Sequence, residues 1–494
     1  MNDTIILSNI ESLAYCLPEF IVILFAIIVV GLDIFKAKTP LVFWSTVAGL
    51  VIAGGVLLSG KDAESARLFY GMMAFDAFGH FFRVLAIAAA LLTMLISYRY
   101  QDLERTGFGE YSAMILFTTV GMMFLATATD MVMIYLALEM VSMPSYILAA
   151  FSKHNAKASE AGLKYVVFGA ASSGAMLFGL SWLYGLTGQT DIFQIGNRLM
   201  ADSVPSLPLM IAGILTTAGF GYKIAMVPFH VWLPDVYEGS STPITAFFSI
   251  GPKAAGFAVF IRFFYVVFAT PNNDAFWMNL PAFDWMSLFA IISAATMTVG
   301  NLAAVPQQNV KRLLAYSSIG HAGYMLMGMV LLTTEGIQAI LFYLVIYYLM
   351  NIGAFLVVIV VYNITQSESI EDYRGLGWRM PLVSATMTVF LLSLTGLPPF
   401  GGFIGKVYLF AAAIHQELYW LVFVAILNSV ISLFYYVRII RAMYLDKGDD
   451  DSTIAVPTFH TVMLGVLAAF VILLGIYWTP LANWTKLSLQ FITG

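Results

Sequence analysis

A chain of 494 residues with 60% hydrophobic and only 10% charged side chains cannot clothe a water-facing surface, since an ordinary soluble domain carries about 25% charge. The bilayer is the solvent that remains. A single cysteine, Cys16, excludes an internal disulfide, a Cys-ligated iron–sulfur cluster and a Cys-pair zinc site within this chain, and a net charge of −5 argues against nucleic acid as a partner.

Apolar runs of spanning length predict helices at residues 14–34, 41–59, 77–98, 111–128, 131–151, 161–186, 206–227, 243–269, 284–305, 310–333, 335–362, 381–413, 417–444 and 457–478. This is an all-α polytopic membrane protein with about fourteen transmembrane helices. The runs are too long for the roughly ten-residue alternation of an outer-membrane barrel. The first lacks a basic n-region and a small-residue cleavage pattern, and it reads as a retained helix. No glycine-rich loop follows a strand, so nothing points to a nucleotide fold. The longer connections are residues 189–205 and 365–380, and no soluble domain fits between helices.

Orientation follows from the basic residues of the loops. Loops after odd-numbered helices hold Lys36, Lys38, Arg99, Arg105, Lys153, Lys157, Lys311, Arg312, Arg374, Arg379, Arg441 and Lys447, and the opposite side holds Lys61, Arg67, Arg198 and Lys486. The odd-numbered loops are therefore expected in the cytoplasm, and both termini on the periplasmic side of a bacterial inner membrane.

Ionisable residues inside an apolar helix are costly and mark a pathway more often than not. In chain order, the fifth helix holds Glu139, with Pro144 after it and Asp130 before it. The sixth holds Lys164. The seventh carries Lys223 and runs into Pro228 and His230, with Asp235 beyond. The eighth carries Lys253 directly after Pro252. The tenth carries His321 among the polar residues of 316–324, and the twelfth reads GLPPFGG at residues 396–402 before restarting through Lys406. The bland readings are snorkelling lysines, a structural carboxylate and two ordinary proline kinks. Against them stands the pairing of breaks with buried lysines. Non-helical backbone at membrane depth survives only against protein or a wet cavity, and two breaks at matching places suggest inverted repeats around a transport site. The breaks fall five helices apart, and an odd number inverts the second unit. Lysine suits proton transfer because its proton affinity moves with burial and neighbouring charge, whereas arginine stays charged. Histidine adds a switch near neutral pH. The expected relay is Glu139, Lys223, Lys253, His321 and Lys406, with His230, Lys164, Asp130 and Asp235 in support. Arg83, Arg262 and Arg438 sit near helix ends.

Residues 223–235 (KIAMVPFHVWLPD), 236–243 (VYEGSSTP), 309–324 (NVKRLLAYSSIGHAGY) and 396–408 (GLPPFGGFIGKVY) carry a resemblance that covers nearly the whole chain. The sequence resembles the antiporter-like membrane subunits of respiratory complex I, the NADH–quinone oxidoreductase. The first and third motifs are shared across that superfamily, including cation/proton antiporter subunits. The VYEG run with Thr242-Pro243 is similar to the N-type members. Lys406 also fits them, where M-type members carry glutamate, and the absence of a long C-terminal lateral helix argues against the L type.

The resemblance implies two inverted five-helix repeats (helices 4–8 and 9–13), with helices 7 and 12 broken. The corresponding parts are residues 1–110, 111–269, 270–444 and 445–494. It implies proton translocation through Glu139, Lys223, Lys253 and Lys406 with His321 bridging, Glu139 tuning Lys223, and Lys406 as the second-half counterpart of Lys223. Pro252 departs from the expected pattern and is placed to bend the eighth helix at Lys253. No cofactor is expected in this chain: NAD, FMN, iron–sulfur clusters and quinone belong to other parts of the complex. The implied partners are the antiporter-like subunit M, small membrane subunits, the peripheral redox arm at a distance, and lipid. The rival readings are a subunit of a cation/proton antiporter, which needs more oxygen ligands than Glu139 supplies, a membrane subunit of a proton-pumping hydrogenase, and a non-conducting structural subunit.

Overall fold

The computed structural model describes residues 5–60, 65–153, 155–201, 204–273, 276–279, 283–448 and 452–489; Lys61 of the charge pattern lies outside them. Long helices dominate: α1 (Leu17–Ile34), α2 (Thr39–Ser59), α3 (Ala77–Ser97), α4 (Phe108–Thr127), α5 (Met131–Ala149), α6 (Ala156–Thr187), α7 (Ser206–Ile224), a short α8 (Leu233–Gly239), α9 (Thr242–Val267), α10 (Trp285–Ala304), α11 (Val310–Val330), α12 (Thr334–Thr365), α13 (Pro381–Thr395), α14 (Gly401–His415), α15 (Tyr419–Tyr444) and α16 (Thr458–Ile476). Among the described residues twelve helices are long and apolar enough to cross a membrane, and α13 and α14 are shorter apolar helices. The 21-residue α11, diluted by its serines, glycines and basic start, is not among the twelve.

Local chemistry sets the helix starts. A backbone N–H left over at a helix N-terminus needs an acceptor. Asp76, Asp130, Asn309 and Thr333 supply one, accepting from Gly79, Val132, Arg312 and Gly336 at 2.7, 2.8, 3.0 and 3.0 Å. Asp130, expected as a support of the relay, is such a cap. A small sheet on one end joins β1 (Ile5–Ile6) parallel to β2 (Ala66–Leu68), which pairs antiparallel with β3 (Met73–Phe75).

The predicted break in the seventh helix falls earlier than expected, because α7 ends at Ile224. Ala225 turns left-handed (φ 59°) and the N–H of Met226 reaches back to Gly221 O at 2.9 Å. The chain then passes the cis Val227–Pro228 bond and forms α8. The second break has the same build: Gly396 is left-handed (φ 89°), Leu397 N–H reaches Leu392 O at 3.1 Å, and a cis Pro398–Pro399 bond follows. Other features also recur. Both α6 and α12 have 32 residues and end in a left-handed residue, Gly188 or Gln366. Beyond each, the chain bridges back to a capping residue, Asp191 to Asp130 and Ser369 to Asn309. Lys223 stands before the first break and Lys406 after the second. The two lysines thus flank their breaks on opposite sides.

Every residue of α9 is buried, and Pro252 lies inside one uninterrupted helix, so it does not break the helix at Lys253. The outer helices α1, α2, α15 and α16 turn Ile27, Trp44, Phe423 and Val462 outward, the pattern of a surface solvated by hydrocarbon rather than water. Arginines placed near helix ends by the sequence are internal ties. Arg262 forks onto Asp76 at 2.7 and 2.8 Å, joining α9 to the cap of α3. Arg83 forks onto Glu19 at 2.7 and 2.6 Å, joining α3 to α1. Arg438 donates to Val305 O at 2.7 Å and to Gln307 O.

Candidate functional site

Lys223, Lys253, His321 and Lys406 are all buried, each 3% exposed or less. Lys223, at the end of α7, donates to Ser142 Oγ on α5 at 3.1 Å. Its stem lies over Gly256 of α9, where a Cβ would come within 3.3 Å of Lys223 Cγ. Glu139 stands one turn before Ser142. It is only partly buried, and its Oε1 has no hydrogen-bond partner. Lys223 thus rests on Ser142, with the Glu139 carboxylate on the same helix but not in an ion pair with it.

Lys253 reaches from α9 to α11, donating to Ser318 O at 2.8 Å and to Ser318 Oγ. Tyr347 of α12 donates to the same Ser318 Oγ at 2.9 Å. One turn along α11, His321 Nδ1 pairs with Tyr343 OH at 2.7 Å and its Nε2 with Tyr436 OH at 3.3 Å, and Tyr436 also meets Ser317 Oγ. Next along that face, Tyr324 OH meets Ser429 Oγ at 3.1 Å. Ser429 accepts from Lys406 at 3.0 Å, and Lys406 also donates to Thr395 O at 2.7 Å and lies 4.4 Å from the Tyr324 ring centre. The positively curved backbone at Gly396 makes room: a Cβ there would lie 2.7 Å from Lys406 Cδ.

Helical spacing produces this file. Residues four apart share a face, so Tyr343, Tyr347 and Asn351 of α12 point the same way. They meet His321, Ser318 and Ser249 respectively. On α9 the buried Thr242, Thr245, Ser249 and Lys253 form another such stripe. It starts at a polar cavity of about 460 Å³ lined in part by Tyr100, Ser152, Ser241, Asn309 and Glu368. Two buried hydroxyls, Thr242 Oγ1 at the start of the stripe and Tyr237 OH of α8, make no hydrogen bond within the protein; buried polar groups of this kind usually hold water.

The structure lines up Lys253, His321 and Lys406 along α11 as three hydrogen-bonded groups that touch through the rings of Tyr347 and Tyr324 on either side of His321, with Lys223 beside the first of them across Gly256. The supporting residues are elsewhere. Lys164 and Asp235 pair at 2.6 Å at the cavity end. His230 sits half-buried in the first break with Nδ1 unpartnered. The hydroxyls Ser142, Tyr343, Tyr347, Tyr436 and Ser429 were not expected. For α12 a signal existed, since three polar groups four residues apart in an otherwise apolar helix make a stripe.

Residues 128–432 match the family described as NADH:quinone oxidoreductase/Mrp antiporter, transmembrane. The chain is 43% identical to NADH-quinone oxidoreductase subunit N of Anaeromyxobacter sp. (strain Fw109-5), over 98% of each chain. It is 44% identical to NADH-quinone oxidoreductase subunit N 2 of Chloroherpeton thalassium, over 96% of this chain and 94% of that one. Its structure is similar to a chain of respiratory complex I from Thermus thermophilus with bound aureothin, at a TM-score of 0.78 and 30% identity, over 94% of this chain and 98% of that one. The chain belongs to the NADH:quinone oxidoreductase/Mrp antiporter family and, within it, to the NADH-quinone oxidoreductase N subunits.

Proposed function

We propose that this chain is a proton-translocating membrane subunit of an NADH:quinone oxidoreductase, and that Glu139, Lys223, Lys253, His321 and Lys406 carry the proton. The observation that carries this reading is the buried file from Ser249 through Lys253, Ser318 and His321 to Ser429 and Lys406, in which lysines end on hydroxyl and carbonyl oxygens. The hydroxyls both accept and donate and so can pass a proton on, and neither they nor the carbonyls lock an ammonium in place as a carboxylate would. NAD, FMN, iron–sulfur clusters and quinone act in other subunits, and this chain receives the resulting electrostatic or conformational signal. The neighbours are antiporter-like subunit M and small membrane subunits.

The polar cavity is the proton inlet. It lies among the loops richest in Lys and Arg, which supports a cytoplasmic mouth and periplasmic termini in an inner membrane. The proton passes to Lys253 along Thr242, Thr245 and Ser249, then to His321, and leaves by way of Lys406. Lys223, its affinity set by Glu139 as that carboxylate approaches or retreats, takes up a proton beside Lys253. The work is modest: moving one charge takes about 2.3 kcal/mol per 100 mV, and a two-unit swing in proton affinity supplies about 2.7 kcal/mol. Fourteen crossings follow when α11 and the paired α13–α14 are counted with the twelve apolar helices. The recurring caps, bridges and breaks support residues 111–269 and 270–444 as inverted repeats between the flanking parts 1–110 and 445–494.

In vesicles carrying the assembled complex, Lys223→Ala, Lys253→Ala or Glu139→Ala should abolish or sharply reduce NADH-driven proton uptake, and Lys406→Arg should impair it, because a fixed charge cannot release its proton. Full pumping stoichiometry in all four would overturn the relay, and sodium-dependent transport would favour cation exchange.

A further inference from the structure

The short α8 is the one helical segment between the first break and the start of the polar stripe on α9. Seven residues have little helical stability of their own, so their neighbours set where they lie. Each carboxylate of α8 is shared between two helices. Asp235 accepts from Lys164 of α6 through Oδ2 at 2.6 Å and from Arg312 of α11 through Oδ1 at 2.7 Å. Glu238 accepts from Lys157 of α6 through Oε1 at 3.1 Å and from the same Arg312 Nη1 through Oε2 at 2.9 Å. The preceding residue on α11, Lys311, donates to Ser240 O at 2.6 Å and to Glu368 at 2.7 Å.

The two sides of α8 differ. Against α6 the backbone is close-packed: a Cβ on Gly239 would lie 2.7 Å from Ala161 Cβ. Against α11 the polar ties are the ion pairs of Arg312 and the bond from Lys311. A second cavity of about 200 Å³ is walled by this cluster, Asp235 and Arg312 included, and Lys157, Glu238 and Gly239 line both it and the larger one. The C-terminal end of α8 is thus the partition between them, and Ser240, Ser241 and Thr242 follow it directly into the stripe that leads to Lys253.

We propose that Arg312 is a positioning residue for proton uptake: by gripping Asp235 and Glu238 together it holds α8 against α11 and keeps the Ser240–Ser241–Thr242 step into the polar stripe narrow, and its release opens that stripe to the cavity. The proposal rests on the reading of the stripe as the inlet to Lys253. It also places the control of the inlet on the helix that carries Ser318 and His321, so a shift of α11 acts on the inlet and the relay together.

Cys16 is the sole cysteine of the chain and is 2% exposed, so the Ser249→Cys variant introduces a thiol whose accessibility reports on the stripe. The assembled complex in membranes is exposed to a small charged methanethiosulfonate, and modification of the peptide containing position 249 is followed by mass spectrometry. Adding Arg312→Ala should speed modification about tenfold, the ratio that corresponds to about 1.4 kcal/mol of lost closure, and Arg312→Lys should fall between because it keeps the charge but not the planar guanidinium whose Nη1 reaches both carboxylates. Glu238→Gln, which removes one carboxylate, should also speed it and decides the matter if Arg312→Ala fails to assemble. Equal rates in all variants would overturn the latch. The labelling does not depend on pumping: full stoichiometry in Lys253→Ala sinks the relay, whereas equal labelling with Lys253→Ala inactive sinks only the role of Arg312.

Discussion

Lys223, Lys253 and Lys406 end on Ser142, Ser318, and Thr395 with Ser429, respectively. A buried ammonium held by neutral oxygens responds strongly to any charge that comes or goes nearby, because the low local dielectric lengthens the reach of Coulomb forces. That is why a partly buried Glu139 beyond contact distance still has a lever on Lys223. Room for these long side chains comes from glycine. Gly396 combines a φ of +89° with a Cβ position 2.7 Å from Lys406 Cδ. Gly396→Ala should therefore cost about 1–2 kcal/mol for the left-handed backbone alone and displace Lys406. A lowered thermal midpoint together with a reduced proton-to-electron ratio is expected, and an unchanged ratio would show that Lys406 tolerates the shift.

At the scale of elements, the polar groups divide into two kinds. Stripes on α9, α11 and α12 face one another and form the file. Paired charges such as Arg262–Asp76 and Arg83–Glu19 fasten helices together. Removing one partner of a buried pair leaves an uncompensated charge, at a cost of about 3–5 kcal/mol. Asp76→Ala also deprives α3 of its cap at Gly79. It should lower the yield of assembled complex, whereas Asp76→Leu combined with Arg262→Met should recover part of it; blue-native electrophoresis reads both. The sequence flagged Arg262 and Arg83 but not their partners, because Asp76 and Glu19 lie far away in the chain and only packing brings them together.

For the whole molecule, the cavity end is knit by the carboxylates of α8, between the crossings α7 and α9, and their basic partners at the ends of α6 and α11, and these carboxylates give it a pH response. Burial pushes the Asp235 carboxyl up, but the bonds from Lys164 and Arg312 outweigh it and hold it below its ordinary value. Glu238 is likewise raised by burial and lowered further by Lys157 and Arg312. With folded values below unfolded ones, the unfolded chain binds more protons in the acid range, so stability rises with pH there. The contribution is complete above the usual carboxylate range of about 4 and is lost as pH falls through the lower folded values. The thermal midpoint should thus be insensitive to these groups between about pH 5 and 8 and fall in stronger acid. Asp235→Asn with Glu238→Gln should lower the midpoint at pH 7 and flatten the acid limb; an unchanged acid limb would mean that the cluster adds no stability.

Composition and run length by themselves determined that this is a multi-pass helical membrane protein, because 10% charged residues cannot solvate a surface of this size. The motifs around Lys223, His321 and Lys406 determined the family and the residues to inspect. Even the two breaks were legible, since proline and glycine act locally. The tertiary structure decided which groups touch: that Lys223 rests on Ser142 and not on Glu139, that α12 supplies Tyr343 and Tyr347, that α9 runs unbroken past Pro252, and that Arg312 grips both carboxylates of α8. A sequence prices each residue against lipid or water, which is a property of one helix face. Hydrogen bonds between helices depend on distance and direction to within a few tenths of an ångström, and only the packed molecule fixes those.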